Sequence, residues 1–362
     1  MIVTVLFGIG KSAIADLYKN LINSFKGKKD IICIYPKGYK GEYNENFILK
    51  EDDFTEKSMI ERIYKLFVYL FSIKKIANKQ KNKNALIFHE GDFLSIFSAI
   101  FLKLIGFNIN VWVHDPIAHL GESKKNKFIR WIAFHTYIKK AKNIIVSYEK
   151  AKKILIKEYK ISLEKIKVIN LPQMQEMEFE DIRNDVNIEL KYDFIFYGRI
   201  EEYKGLDLLL EVFKDKNLKN IKLLIVGRGK KDKEIKEKIT NFKNITFINE
   251  YVPNRDLAKY IMKSKFVILP YKTATGTQTI QIANYYNRMV LATKVGCFTE
   301  YINEGKNGLF IDKQEYNSLK KSILEILEYK MDSKQKLLIN EEYKKYDLIK
   351  TANKLYNIID SQ

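Results

Sequence analysis

Residues 197–205 read YGRIEEYKG; the apolar run DFIF stands before them and LDLLLEVF directly after. The apolar run predicts a strand over Asp193 to Tyr197, and the leucine spacing past Gly205 predicts a helix from Leu206. Gly198 allows close backbone approach at the strand's end, while Arg199 and Lys204 place a planar guanidinium and a compact ammonium on the turn. Two cations beside a helix amino end suit a diphosphate, because unpaired N–H groups and the positive end of the helix dipole lie there. An ordinary βα loop with solvated charges uses the same residues. The stretch therefore decides a strand-turn-helix unit and leaves its chemistry to its neighbours.

The alternation continues in both directions. Downstream, strands are expected at Leu223–Val226, Ile245–Phe247, Phe266–Leu269, Val290–Thr293 and Gly308–Ile311, with helices from Lys233, from Asp256 and near Thr277. Upstream, strands are expected at Ile2–Phe7, Ile31–Tyr35, Ala85–His89, Val111–His114, Asn143–Ser147 and Ile166–Ile169, with helices after Lys11, over Lys57–Asn78, from Phe93, after Lys124 and up to Tyr159. Such alternation marks an α/β protein with doubly wound parallel sheets. The acidic, irregular QMQEMEFEDIRNDVN at 173–187 interrupts it as a linker would. With 362 residues there is chain enough for two Rossmann-like domains, 1–172 and 191–342, joined by 173–190.

The first turn, Gly8-Ile9-Gly10-Lys11-Ser12, looks like a phosphate loop but is not one. The pattern G-x-x-x-x-G-K-S needs a glycine where Val5 stands, and the dinucleotide fingerprint needs one at Ala13. What remains is a tight glycine turn at a strand's carboxyl end, where open α/β sheets place ligands. A nicotinamide-dependent oxidoreductase is disfavoured for want of that fingerprint.

Composition narrows the classes further. At 46% hydrophobic and 13% aromatic residues the chain has material for packed cores. Two cysteines, Cys33 and Cys297, provide no disulfide framework and no metal-ligand spacing, which fits a reducing compartment. The start lacks a basic flank before its apolar run, against a signal peptide. FLSIFSAIFLKLIGFNINVWV at 93–113 is broken by Gly106 and two asparagines, so it reads as helix then strand and not as a membrane span. Through Pro172 there are 31 Lys and Arg against 16 Asp and Glu, making the amino half the source of most of the net +20. From Lys124 to Lys167 there are 14 basic and three acidic residues, interleaved with Phe128, Trp131, Phe134 and Tyr137. That combination suits an anionic membrane surface, nucleic acid or a solvated lysine-rich face.

The succession of YGRIEEYKG, LLIVGRGK at 223–230 and FINEYVPNRDLAKYIMKSKFVILPY at 247–271 resembles the carboxyl-terminal domain of GT-B glycosyltransferases, specifically the retaining family 4 type that uses nucleotide sugars to build bacterial polysaccharides. Gly198-Arg199 and Lys204-Gly205 fit that family's G-R-x4-K-G pattern, whose Arg and Lys hold the donor diphosphate. Its usual P-x3-E-G-F-G segment, with a second Glu eight residues later, falls on Pro270 onward, but Ala274 and Ile282 occupy the two Glu positions. PYKTATGTQTIQIANYY looks instead like a subgroup whose loop reads S-A-T-Q-S-G. There Thr275, Gly276, Thr277, Gln278 and Thr279 would offer N–H and hydroxyl donors to the diphosphate from a helix amino end. VWVHDPIAHLGES at 111–123 resembles the same subgroup's H-D-P-x-x-H-x-G-E segment.

The resemblance implies two domains facing across a cleft, with the last helix, near 343–359, crossing back to the amino domain together with the tail to residue 362. It implies catalytic roles for His114, Asp115, Arg199 and Lys204, nucleoside contacts at Gly227, Tyr251 and Val252, and an acceptor side built from Gly8, Gly10, Lys11, His89, His119 and Glu122. It implies transfer from a nucleoside diphosphate sugar, most readily a UDP-sugar, to a glycan or lipid-linked glycan of a capsule, O-antigen or exopolysaccharide. Retention of configuration, no metal and no resident cofactor are expected, with peripheral docking on the anionic inner face of the cytoplasmic membrane and no nucleic-acid partner. A sugar-nucleotide-binding relative without turnover and a basic nucleic-acid-binding protein are the competing classes.

Overall fold

The computed structural model describes residues 2–4, 13–25, 32–36, 47–51, 58–89, 93–117, 124–173, 183, 188–229 and 232–360. It divides into two compact units: the chain up to Pro172 joined by the segment from Leu348 onward, and Gln173–Asp347. Each is built on one parallel sheet.

In the first unit the strands are β1 Ile2–Thr4, β2 Ile32–Pro36, β3 Phe47–Glu51, β4 Asn84–His89, β5 Asn108–Val113, β6 Asn143–Val146 and β7 Ile166–Val168, in the order β3-β2-β1-β4-β5-β6-β7. The second holds β8 Tyr192–Tyr197, β9 Leu223–Val226, β10 Ile245–Ile248, β11 Ser264–Leu269, β12 Met289–Thr293 and β13 Gly308–Ile311, in the order β10-β9-β8-β11-β12-β13. Parallel strands are covered on both faces and so read as unbroken apolar runs. LLIV of β9 and MVLAT of β12 are buried throughout. Both sheets reverse direction once, between β1 and β4 and between β8 and β11, and ligands of such sheets bind at the carboxyl ends beside that reversal.

The segment at 93–113 forms the helix Phe93–Leu104 followed by β5, with Gly106 at φ 90° between them. Among the described residues no helix is long and apolar enough to cross a membrane. The helix Leu348–Asp360 buries Leu348, Ala352, Leu355 and Ile359, a 4-3-4 spacing that keeps one face inward. It packs on the helix Ala13–Asn23 and on β4, Asn143 Nδ2 donates to the Ile358 carbonyl at 3.2 Å, and Lys354 Nζ donates to the Val168 carbonyl at 3.1 Å. The chain thus returns to its first sheet after completing its second.

Two details depart from the sequence reading. The helix expected near 343–359 is two, Ser333–Lys344 and Leu348–Asp360, and residues up to Asp347 stay with the second unit. Tyr346 holds the break: its carbonyl accepts from Gln173 N at 2.7 Å and its hydroxyl donates to the Glu300 carbonyl at 2.6 Å. β3 was not expected, because an edge strand reading FILKE ends in charge and carries little periodic signal. Gly8, Gly10 and Lys11, like His119 and Glu122, lie outside the described residues.

Leu355→Ala should lower the stability of the first unit by about 2–5 kcal/mol in denaturant unfolding, since the side chain is fully buried. A loss below about 0.5 kcal/mol would mean that the carboxyl-terminal helix is not part of that core.

Candidate functional site

The site of the second unit begins where two strands end in glycine. Gly198 (φ 100°) donates its N–H to the Val226 carbonyl at 3.0 Å, and Gly227 (φ 149°) donates to the Ile248 carbonyl at 3.0 Å. A Cβ on Gly227 would lie 2.0 Å from the Gly198 carbonyl oxygen, so the two backbones touch with no room for a side chain. Ile200 N then bonds the Arg228 carbonyl at 2.8 Å, carrying the pairing past the sheet's edge and presenting Arg199 to solvent.

The chain next folds into a 3-10 turn, Glu202–Lys204, closed by Gly205 at φ 71°. A Cβ there would lie 2.0 Å from the Pro270 carbonyl oxygen. The turn after β8 is therefore seated directly on the end of β11, across the sheet's reversal. Lys272 N donates to the Tyr203 carbonyl at 2.6 Å and Gln314 Nε2 to the Pro270 carbonyl at 2.8 Å, fastening the same junction.

Lys204 is the consequence. It is only 8% exposed, and its ammonium turns back over Gly198, where a Cβ would come within 2.8 Å of Nζ. Nζ stands 5.3 Å from the centre of the Tyr271 ring. Burial lowers its pKa to about 8; Arg199 adds to the fall and Glu201 opposes it. A drop of that size makes the ammonium about 3 kcal/mol less favourable than in water. Tyr271 is buried too, which pushes its phenol upward, and its ring meets Tyr203 edge-on at 5.8 Å.

The loop after β11 is held from behind. Cys297 Sγ donates to the Thr275 carbonyl at 2.7 Å, Thr293 Oγ1 to the Tyr271 carbonyl at 2.6 Å, and a Cβ on Gly296 would fall 1.7 Å from the Ala274 carbonyl oxygen. Tyr197, at the end of β8, donates its hydroxyl to the Thr279 carbonyl at 3.0 Å. Thr275 and Gln278 are buried and Gly276 is half-buried. The helix starts at Thr279, later than expected, so Thr275 and Gly276 belong to the loop and not to a helix amino end. The Thr277 and Thr279 hydroxyls bond each other at 2.8 Å, and Thr279 N donates to Thr277 Oγ1 at 3.3 Å. Gly227, Tyr251 and Val252 follow β9 and β10, the strands beyond β8; Tyr251 is 77% exposed.

In the first unit His114 directly follows β5 and is 4% exposed, with Nδ1 buried and without a hydrogen-bond partner among the described residues. The turn after it is braced through its backbone: Arg130 Nη1 donates to the Asp115 carbonyl, and the Tyr159 hydroxyl donates to the Pro116 carbonyl at 3.0 Å. His89 ends the neighbouring β4, paired in register with Val113.

Residues 178–345 match the model of the family described as glycosyl transferases group 1. This stretch of the chain is similar to that family. An uncharacterized glycosyltransferase of Methanocaldococcus jannaschii is 30% identical over 154 residues, 40% of this chain and 43% of its own length. An uncharacterized 41.2 kDa protein in the cps region of Klebsiella pneumoniae is 28% identical over 165 residues, 44% of this chain and 45% of its own. The chain thus spans less than half the length of these curated relatives. The crystal structure of Anabaena HepE with UDP and glucose superposes over 100% of both chains with a TM-score of 0.73 at 14% identity, a likeness of fold. Two Rossmann-like halves of this kind are the GT-B fold.

Within the group 1 segment the structure gathers Arg199, Lys204 and the loop 275–279 on the two strands that flank the sheet's reversal. Lys204 is buried, so the alternative of an ordinary βα loop with solvated charges does not describe it. Sequence reading missed Tyr271, Gly296 and Gln314, which support the site. Gly296 alone carried a signal, as the only glycine in the turn after β12.

The buried ammonium sets a stability signature with a definite sign. Lys204 binds fewer protons folded than unfolded between pH about 8 and 10.5, so the free protein's stability should rise with pH across that window. Lys204→Met should remove the rise and stabilise the free protein at pH 7 by up to about 3 kcal/mol. A wild-type profile flat from pH 8 to 10 would contradict the burial. Gly227→Ala should cost more than about 2 kcal/mol through the clash with Gly198, and a neutral result in thermal unfolding would show that the strand ends can part.

Proposed function

We propose that this protein is a glycosyltransferase that moves a sugar from a UDP-sugar to a hydroxyl of a glycan or lipid-linked glycan in the assembly of a bacterial surface polysaccharide. The observation that carries the reading is the desolvated Lys204 beside exposed Arg199 at the reversal of a group 1 sheet. A buried cation with no carboxylate bonded to it among the described residues is suited to an anionic ligand, and charge on the leaving diphosphate grows during the transfer. HepE, solved with UDP and glucose, supports the donor class, and the Klebsiella relative's cps region supports the polysaccharide setting.

In the reaction the bond from the sugar's anomeric carbon to the diphosphate oxygen breaks, and that electron pair leaves with the diphosphate. Lys204 and Arg199 hold the charge, and the loop N–H groups around Gly276 to Thr279 add fixed dipoles. The acceptor oxygen bonds to the anomeric carbon from the departing side, its proton passing to a phosphate oxygen, which retains the configuration. His114 Nδ1 is free to bond a sugar hydroxyl, and Asp115, in the braced turn, serves the same side. Gly227, Tyr251 and Val252 receive the nucleoside. Side-chain cations supply the positive charge, so the scheme uses neither metal nor resident cofactor. Work on a lipid-linked acceptor puts the protein in the cytoplasm, at the inner face of the membrane.

A thermal-shift panel of UDP, UMP, GDP, CMP and NAD tests the donor assignment, because a ligand of the folded state raises its apparent stability. UDP should stabilise most. Arg199→Ala and Lys204→Met should each weaken UDP by tenfold or more, the scale of a lost hydrogen bond to a charged group. Unchanged UDP affinity in both variants would sink the diphosphate assignment. UDP binding with no glycosyl product from any lipid-linked or oligosaccharide acceptor would favour a binding protein over an enzyme.

A further inference from the structure

The helix Met59–Asn78 of the first unit is apolar on two faces. One face is core: Tyr69, Ile73 and Ala77 are buried, and the Tyr69 hydroxyl is 2.8 Å from Ser98 Oγ on the helix Phe93–Leu104. The other face is open. Ile60, Tyr64, Phe67 and Phe71 are 81, 69, 69 and 71% exposed, at spacings of 4, 3 and 4 residues, so they form a single stripe on the outside. The adjoining helix adds Phe97 and Leu104, 43 and 79% exposed. Isolated surface apolar residues need no explanation, but a stripe of this length marks an interaction surface.

These helices share a side of the sheet. Phe93–Leu104 packs on β4 and β5, and both Met59–Asn78 and the π-turn Phe134–Ile138 pack against it. Helices Ala13–Asn23 and Leu348–Asp360 pack together; right-handed crossovers place the first of these on the opposite face, since β1 to β2 and β4 to β5 run outward in opposite directions. The side with the stripe is also cationic. Lys103 Nζ donates to the Lys140 carbonyl at 2.8 Å and Lys165 Nζ to the Lys139 carbonyl at 3.2 Å, bringing lysines from three segments together. Burial, then Lys140 and Lys165, lower the pKa of Lys103, as crowded cations do. The neighbouring helix Lys124–Ala133 exposes Phe128 and Trp131 among Lys124, Lys125 and Lys127. Phe134 and Tyr137, which the sequence placed on the same basic surface, are buried in the core.

We infer that this three-helix side is a membrane-docking face, in which the stripe of Ile60, Tyr64, Phe67 and Phe71 enters the headgroup boundary of an anionic bilayer while the lysines on the same side meet its phosphates. An apolar stripe on the same side of the sheet as a lysine cluster fits an interface that is apolar within and negative at its surface, whereas a second copy of the same side would bring like charges together. The inference rests on the membrane setting of the proposed function but not on its donor site. It also relocates the insertion, from the basic segment after Lys124 to the helix Met59–Asn78.

The test is flotation of the full chain with vesicles of phosphatidylcholine alone or with 30% phosphatidylglycerol, for wild type, Phe67→Ser/Phe71→Ser and Lys103→Ala/Lys140→Ala. Wild type should float with the anionic vesicles only. The serine variant should lose tenfold or more in partitioning and the lysine variant roughly fivefold or more, with salt weakening what remains. Exposed positions should leave folding intact, which circular dichroism and denaturant unfolding of each variant report. Trp112 is fully buried and Trp131 is 55% exposed, so vesicle binding should blue-shift the emission of Trp131, and Trp131→Phe should abolish that shift. No flotation of wild type at low salt, or flotation unchanged by the serine variant, overturns the inference. A wild-type dimer that the serine variant converts to monomer, without vesicle binding, overturns it in favour of self-association. Loss of flotation in the serine variant, with no UDP shift in any form, leaves the docking face standing and removes the donor reading.

Discussion

Everything at the candidate site depends on one steric contact, the meeting of Gly198 and Gly227 backbone to backbone at the ends of β8 and β9. Because no Cβ separates them, the strand pairing runs on to Ile200 and Arg228, and the turn that follows is pressed onto Pro270 at Gly205. That geometry gives Lys204 one place to go: back over Gly198 and against Tyr271, out of water. A solvated lysine on a mobile loop would be cheaper for the fold. Here folding holds an ammonium in a state that an anion would relieve, so under the proposed function part of the binding free energy is prepared in the free protein.

The second sheet supplies the reason that this happens where it does. Its order reverses between β8 and β11, which leaves the carboxyl ends of those two strands free of a connecting helix directly above them. The two loops that emerge are tied together by Tyr197 to Thr279 and by Lys272 to Tyr203, and braced from β12 by Thr293, Gly296 and Cys297. Position is set by backbone contacts that side-chain substitution in the loop leaves in place. Ala274 and Ile282, which stand where the family resemblance expects two acidic residues, leave these backbone contacts untouched.

Much of this was legible in the sequence, and the limits have physical causes. Buried parallel strands are continuous apolar runs, so β9 and β13 are found at their expected bounds, while β3, an edge strand ending in Lys50 and Glu51, carries no such run. Arg199 and Lys204 stand out because two cations follow a strand through glycine. Their different fates do not, since exposure of Arg199 and burial of Lys204 follow from contacts with Pro270 and Tyr271, distant in sequence. Composition likewise showed a basic amino half with aromatic residues. It could not show that Phe134 and Tyr137 turn inward while Phe67 and Phe71 turn out, because all four stand in helical runs with similar neighbours.

Under the proposed function Lys204 waits partly discharged for a diphosphate. Calorimetric titration of UDP at pH 9, repeated in buffers of different ionisation enthalpy, counts the protons taken up on binding. With a free pKa of about 8, Lys204 is mostly neutral at that pH, and pairing with the ligand recharges it. Uptake close to one proton in the wild type, and none in Lys204→Met, is the predicted result. Tight binding of UDP with no proton uptake in the wild type would contradict it.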